Sequence, residues 1–206
     1  MKITWIGHSC FRIDNDGYSV IFDPYEDGYV PGLTPVREKA NMVICSHGHG
    51  DHAAEGNIEI LEEMACPFII TLIDSFHDGE GGKLRGENKI AILDDGETRV
   101  AHFGDQGCMP DDEAIEELMD VDIALIPVGG HYTVDAREAA EIVKRINAKT
   151  IIPMHFRDDK KGFGFDVISP VDEFVNEMQG AAFTEESVYD TDSGKTGVVV
   201  LVPRNL

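Results

Sequence analysis

The sequence predicts an α/β fold, because short apolar runs of strand length alternate along the chain with segments of helical spacing. At 206 residues the chain is long enough to bury one sizeable core. No linker, low-complexity stretch or strong internal repeat interrupts it. We therefore expect a single domain over residues 1–206.

Ten short apolar runs predict the strands of this fold. In chain order the runs are KITWIG, CFRID, YSVIFD, NMVICS, FIITLI, KIAILD, TRVAHF, DIALIPV, KTIIPM and GVVVLV. The segment DNDG at residues 14–17 separates two of them and predicts a hairpin, because such residues tolerate the left-handed backbone of a tight turn. The glycine-rich residues 79–86 predict a flexible loop.

Helical spacing appears in three segments. Residues 53–64 place Ile58, Leu61 and Met64 on one face. Residues 111–119 carry acidic side chains in the first turn, where the helix dipole favours them. Residues 135–146 run from an aspartate cap to a basic last turn. We predict a helix in each of the three.

Acidic residues dominate the charge, since 17 Lys and Arg stand against 39 Asp and Glu, a formal net charge of −22. Such a chain repels nucleic acid and anionic membranes, so we expect a small-molecule substrate and neither of those partners. No apolar stretch has the length of a signal peptide core or approaches the roughly 20 residues of a membrane helix, which predicts a cytoplasmic protein. The sequence leaves the oligomeric state open, and a homo-oligomer is one of the alternatives.

The four cysteines, Cys10, Cys45, Cys66 and Cys108, lie far apart and form no Cys-x-x-Cys pair. Their neighbours are mostly apolar or small. We therefore expect buried free thiols in a reducing compartment, rather than disulfides or a thiolate metal site.

Residues 46–52, SHGHGDH, hold three histidines and one aspartate in a loop that follows a predicted strand. Residues two apart in an extended segment point the same way, so His47 and His49 can bind one metal ion. Asp51 and His52 can then turn toward another. The intervening glycines disfavour a helical metal motif.

Other predicted strands also run out into a histidine or an aspartate. The residues concerned are His8, His77, Asp105, His131 and His155. If the strands belong to two facing sheets, their ends meet at one edge, which is where α/β folds usually bind ligands. We expect His77, Asp105 and His155 to supply further metal ligands. Taken singly, His8 and His131 are as consistent with a structural role.

The motif SHGHGDH is the signature of the metallo-β-lactamase fold superfamily, which this sequence resembles. One hydrolase branch of the superfamily is similar to this sequence in five further segments, which are KITWIGHSCF, DSFHD, HFGDQG, LIPVGGHYTVDA and IIPMHF. That branch includes proteins similar to ascorbate-6-phosphate lactonase and N-acyl-phosphatidylethanolamine phospholipase D. The resemblance covers at least residues 2–157. It implies a four-layer αββα sandwich with metal ions at one edge of the facing sheets.

The resemblance also implies a ligand set for two divalent ions. It puts His47, His49 and His77 on the first ion, Asp51, His52 and His155 on the second, and Asp105 on both. Zinc suits this histidine-rich set, and the carboxylates leave manganese or iron open. The implied reaction is hydrolysis by a metal-bound hydroxide, with Asp51 as proton acceptor or donor. Asp51 and Asp105 are thus the candidate catalytic residues.

The substrate is less well defined than the metal ligands. We expect a small ester, lactone or phosphodiester, and His131, Tyr132 and His8 are candidates for contacting it. Basic residues also follow two of the predicted ligands along the chain. They are Lys83, Arg85, Arg157, Lys160 and Lys161. These side chains could bind a phosphate group, but solvated loop residues are the simpler interpretation.

Two other functions are compatible with these motifs. The alternative to an enzyme is a metal-holding sensor or binding protein of the same fold without turnover, although the complete ligand set favours catalysis. A ribonuclease of the same superfamily is disfavoured, because the chain has neither a basic surface nor the inserted domain of those enzymes.

Overall fold

Strands dominate the computed structural model, which describes all residues from 1 to 206. They form one sheet of five strands, one of seven, and a separate pair. The strands of the five-stranded sheet are β1 (Lys2–Gly7), β2 (Cys10–Asn15), β3 (Tyr18–Phe22), β5 (Met42–Ile44) and β13 (Val188–Asp190). Their order is β13, β1, β2, β3, β5, and of the neighbouring pairs β3 and β5 alone run parallel.

The larger sheet combines an antiparallel edge with a parallel body. Its strands are β7 (Ile69–Phe76), β8 (Glu87–Asp94), β9 (Arg99–His102), β10 (Ile123–Pro127), β11 (Thr150–Met154), β12 (Ala182–Phe183) and β14 (Gly197–Val200). The order is β12, β14, β11, β10, β9, β8, β7, with antiparallel pairing only between β7, β8 and β9. The separate parallel pair consists of β4 (Glu38–Ala40) and β6 (Ile58–Ile60).

The predicted hairpin joins β2 to β3. Asn15 pairs with Tyr18, and the two residues between them, Asp16 and Gly17, have φ angles of 48° and 84°. Positive φ at both central residues is the geometry of the turn that matches the twist of the flanking strands.

Three helices lie in the connections between parallel strands of the larger sheet. They are α1 (Asp112–Leu118), α2 (Ala136–Arg145) and α3 (Asp172–Glu177). The first two were predicted and begin at aspartate caps, because Asp111 accepts a hydrogen bond from the backbone N–H of Ala114 and Asp135 does the same for Glu138. The third helix, α3, was not predicted. None of the helices has the length and apolar character needed to cross a membrane.

The helix predicted over residues 53–64 is wrong. The segment contains a single 3₁₀ turn at Glu55–Asn57, after which β6 pairs with β4. Leu61 and Met64, which were assigned to the apolar face, are 38% and 48% exposed. A spacing of three residues fits a helix, but Gly56 disfavours one and the ladder to β4 supplies the backbone partners instead.

The two large sheets pack face to face, which confirms the predicted α/β sandwich. One continuous cluster of 51 buried apolar residues includes side chains from both sheets. The ring centroid of Trp5 in β1 lies 5.2 Å from that of Phe156, which follows β11. The ring of Phe22 in β3 stacks on that of His102 in β9, with 4.6 Å between the ring centroids. Both contacts join the two sheets near the ends of their strands, where the predicted metal ligands lie.

All four thiols are free, as expected, but their predicted burial is correct only for Cys10. Cys45 and Cys108 are half-buried, and Cys66 is exposed. The expectation of burial is wrong at Cys66 because it lies in the irregular segment between β6 and β7, outside either sheet.

Candidate metal centre

The loops after β5, β7, β9 and β11 bring all seven predicted ligands to one edge of the sandwich. They form three overlapping groups, within each of which one ligand atom per residue lies within 4.8 Å of the others. The groups are His47, His49 and His77; His47, His52 and Asp105; and His8, Asp51, His52 and His155. The first and third groups contain the two triads that the family resemblance assigns to separate ions, and the third also contains His8.

Asp105 lies between the two triads. Its Oδ1 is 3.1 Å from Nε2 of His52, and its Oδ2 is 3.2 Å from Nε2 of His77 and 3.4 Å from Nε2 of His155. The residue is 1% exposed. A carboxylate in contact with histidines of both triads has the position that a bridging ligand requires.

The backbone around Asp105 is fixed by its neighbours. Asn88 accepts a hydrogen bond from the Asp105 N–H at 3.0 Å and donates to the carbonyl oxygen of Phe103 at 2.9 Å. Gly104 has a φ of 56°, and a Cβ at this position would lie 2.4 Å from the Cβ of Ser46. Only glycine allows the loop after β9 to pass this close to the histidine loop.

Asp23, which was not among the predicted site residues, supports the cluster from behind. It is fully buried, its Oδ2 lies 2.7 Å from Nδ1 of His52, and Ser46 donates to it through the backbone N–H and Oγ, both at 2.7 Å. A carboxylate on Nδ1 fixes the imidazole tautomer and leaves Nε2 free to bind a metal. Asp23 ends the run YSVIFD, so the rule that selected the other ligands could have found it.

Protonation in the cluster suits a bound cation. Burial, with the neighbouring His52, lowers the pKa of His47 to about 3, so its ring is neutral at pH 7. For His52, burial lowers the pKa, but the carboxylates of Asp105 and Asp23 on either side outweigh it and hold the pKa well above its usual value. Between these two carboxylates the site therefore favours positive charge.

His8 belongs to the buried side of this cluster. Its side chain is fully buried, its backbone is left-handed with a φ of 54°, and its Nε2 lies 3.4 Å from Oδ2 of Asp51. Its carbonyl oxygen accepts a hydrogen bond of 2.9 Å from the indole N–H of Trp5. Burial and the neighbouring His155 lower the pKa of His8 to about 4. The structure thus places His8 behind Asp51 rather than on the open side of the site.

His102 has a structural environment. Its Nε2 lies 2.8 Å from the carbonyl oxygen of Ser9, and its Nδ1 accepts a hydrogen bond from the N–H of Gly104. Both ring nitrogens are therefore satisfied, and the ring packs against Phe22. The ring holds the loops after β1 and β9 in place.

The donor atoms of the cluster fit a divalent metal. Several buried nitrogens and oxygens in it have no partner with hydrogen-bond geometry, whereas more than about 90% of buried polar groups normally have one. They include Nε2 of His47, His52 and His155, Nδ1 of His77, Oδ1 of Asp105 and both ring nitrogens of His8. Imidazole nitrogens mixed with carboxylate oxygens are the ligand set of zinc, manganese and iron sites.

A pocket of about 310 Å³ opens onto the cluster. Its lining consists of Tyr29, His49, Asp51, His77, Leu84, Arg85, Asp105, Tyr132 and Phe165. Of the predicted substrate-contacting residues, Tyr132 lies in this lining. His131 is exposed with its ring 4.5 Å from that of Tyr132, and neither His131 nor His8 is part of the lining. Among the basic residues after the ligands, Arg85 reaches the pocket.

A sandwich of two sheets with a buried histidine and aspartate cluster below an open pocket defines a class of metal-dependent enzymes. The family model described as the β-lactamase superfamily domain matches residues 2–155. A UPF0173 metal-dependent hydrolase from Hyperthermus butylicus is 30% identical over 193 residues, which cover 75% of this chain and 82% of that relative. Another from Thermoplasma acidophilum is 29% identical over 216 residues, covering 89% and 93%.

A solved structure supports the same family. The protein, from Thermotoga maritima, is described as a Zn-dependent hydrolase of the metallo-β-lactamase superfamily; it has a TM-score of 0.75, 28% sequence identity, and 97% coverage of both chains. The present chain belongs to the metallo-β-lactamase superfamily and is a metal-dependent hydrolase, which confirms the family expected from SHGHGDH. The closer likeness to the lactonase and phospholipase branch stays a prediction.

Proposed function

We propose that this hydrolase holds two divalent ions, with zinc as the preferred metal and manganese or iron as alternatives. His47, His49 and His77 would bind one ion, and Asp51, His52 and His155 the other. The observation that carries the proposal is the position of Asp105, whose two oxygens lie within 3.4 Å of histidines from both triads. A single-ion site would leave one triad of donor atoms without a metal ion to bind.

Two bound divalent ions would polarise a substrate oxygen as Lewis acids and lower the pKa of a water molecule from 15.7 to about 7. The chain itself would orient the donors and handle the proton. Asp23 and Ser46 hold His52 and His47, and Asn88 holds the backbone of Asp105. These contacts fix the ligands before substrate binds.

Asp51 is the carboxylate best placed to exchange a proton with the substrate. Its side chain is 13% exposed and lines the pocket, whereas Asp105 is almost fully buried. A carboxylate in this position can accept a proton from the nucleophile and, once protonated, donate it to the leaving group. Asp51 is therefore the proposed proton-transfer residue, and Asp105 acts through charge and position.

The proposed substrate is a small ester, lactone or phosphodiester. A pocket of about 310 Å³ lies at the lower end of the range for small-molecule sites, which is about 300–1,000 Å³. The net charge of −22 supports a small molecule over nucleic acid or a membrane surface. The four free thiols support a reducing, cytoplasmic setting.

Metal removal and reloading test this function. Protein stripped with a chelator would be assayed on a nitrophenyl ester, a lactone and bis(nitrophenyl) phosphate, and then assayed again after addition of zinc, manganese or iron. We expect turnover of one substrate class to disappear on stripping and to return with one of the metals. Full metal loading without turnover of any class would favour the alternative, a sensor or binding protein. Turnover that survives stripping would contradict metal dependence.

A further inference from the structure

One cationic side chain lines the pocket without being part of the histidine and aspartate cluster. Arg85 is the one basic residue in the lining, at a site whose other charged lining groups are Asp51 and Asp105. The chain as a whole carries a charge of −22. A guanidinium in the lining of this pocket therefore attracts anions locally, whereas the overall charge of the chain would repel them.

The loop that carries Arg85 is tightly built. Asp78 accepts hydrogen bonds from four backbone N–H groups, two to each of its carboxylate oxygens, at distances of 2.8–3.0 Å. The donors are Glu80, Gly82, Leu84 and Arg85 itself. Asp78 is 2% exposed and directly follows His77. The backbone of Arg85 is thus fastened to the residue beside a predicted metal ligand, although the glycine-rich sequence suggested a flexible loop.

The guanidinium of Arg85 has an aromatic platform and no acidic partner. Its Cζ lies 5.7 Å from the centroid of the Tyr132 ring, within the range of a cation–π contact. It forms no ion pair and donates no side-chain hydrogen bond within the protein. Two of the other basic residues after the ligands do have partners in the chain. Arg157 donates to the carbonyl oxygen of Asp166 and pairs with Asp159, and Nζ of Lys161 lies 3.9 Å from Oε2 of Glu185.

We propose that Arg85 binds an anionic group of the substrate, a carboxylate or a phosphate, beside the bond that is cleaved. The proposal rests on the proposed hydrolase function and narrows its substrate to anionic small esters, lactones or phosphodiesters. The planar guanidinium can donate two parallel hydrogen bonds to either anion while Tyr132 holds its plane. Leu84 and Phe165 supply an apolar wall for the uncharged part of the substrate.

A matched pair of substrates tests the proposal. Nitrophenyl acetate and the nitrophenyl monoester of succinate have the same leaving group, but the acyl group of the second carries an additional carboxymethyl group with a negative charge. We expect Arg85→Gln to lower kcat/KM for the succinate ester by roughly ten- to a hundredfold, mainly through KM, because a hydrogen-bonded ion contact is lost. The acetate ester should change by less than about twofold, and Arg85→Lys should be intermediate on the succinate ester.

The neighbouring Lys83→Gln is the control, because it removes a positive charge from the same loop at an exposed position outside the pocket lining. It should leave both substrates unchanged. Equal effects of Arg85→Gln on the two esters, or none on either, would overturn the proposal.

A binding measurement separates this proposal from the proposed function. If the wild-type holoenzyme hydrolyses neither ester, calorimetric titration with phenyl phosphate still decides the role of Arg85. We expect Arg85→Gln to bind phenyl phosphate at least tenfold more weakly than the wild type and than Lys83→Gln. Equal affinities, or no binding to the wild type, would overturn the proposal.

Discussion

Replacing Asp23 by Asn removes one acceptor from a buried group that accepts three hydrogen bonds. Its carboxylate holds Nδ1 of His52 and the N–H and Oγ of Ser46, each at 2.7 Å. An amide has one acceptor oxygen and one donor nitrogen, so it cannot serve all three donors. Where the amide nitrogen faces His52, the imidazole must place its proton on Nε2, and Nε2 can then no longer bind a metal ion.

Two effects of this change can be given a magnitude, the loss of metal affinity and the loss of folding free energy. Loss of such a supporting contact typically lowers metal affinity by about 10–100-fold, which corresponds to about 1.4–2.7 kcal/mol. Loss of a buried hydrogen bond to a charged group costs about 1.5–3 kcal/mol of folding free energy. In a chain of this size each kcal/mol lowers Tm by about 2–4 °C, so the metal-free variant should melt about 3–12 °C below the metal-free wild type.

Chelator competition and calorimetry measure the two effects separately. The control is Ile142→Ala, a fully buried position on α2 that belongs to none of the ligand loops. It should cost about 2–5 kcal/mol of stability while metal affinity stays at the wild-type value. Wild-type metal affinity in Asp23→Asn would refute the argument from tautomer control, whatever happens to its Tm.

Three further substitutions test individual assignments. Asp105→Asn should reduce turnover by about a hundredfold or more and lower the metal content toward one ion per chain; two retained ions with unchanged turnover would show that Asp105 does not bridge. His8→Phe keeps an aromatic ring but removes the nitrogen 3.4 Å from Asp51, so metal affinity should fall by about tenfold in a chelator assay; unchanged affinity would give His8 a packing role alone. Cys45→Ala should lower Tm by a few degrees with full metal content, because a half-buried thiol is lost that is not a ligand; metal loss in the folded variant would contradict this.

The convergence of the histidine and aspartate side chains was predictable from the sequence, because strands of facing sheets end at a common edge. His77, Asp105 and His155 each follow a strand, and the structure brings them within reach of the histidine loop. The partner of a ligand is harder to predict. Asp23 acts through a 2.7 Å contact to His52, 29 residues away, and no local spacing indicates such a pairing.

Other features depended on tertiary packing that local patterns do not encode. The spacing of Ile58 and Leu61 fits a helix, but the backbone partners offered by β4 favour a strand at Ile58–Ile60. Among the basic residues after the ligands, Arg85 lines the pocket. Asp78, next to His77, holds the backbone N–H of Arg85 by a hydrogen bond and so keeps this residue near the site. Their sequence positions alone do not distinguish Arg85 from the solvated residues.

Native mass spectrometry of the purified protein, titrated with zinc and then with manganese, tests the dinuclear site most directly. The positions of Asp105 and the two triads predict a folded chain that binds two ions and no more. Saturation at one ion, or a well-folded chain that binds neither metal, would contradict the account.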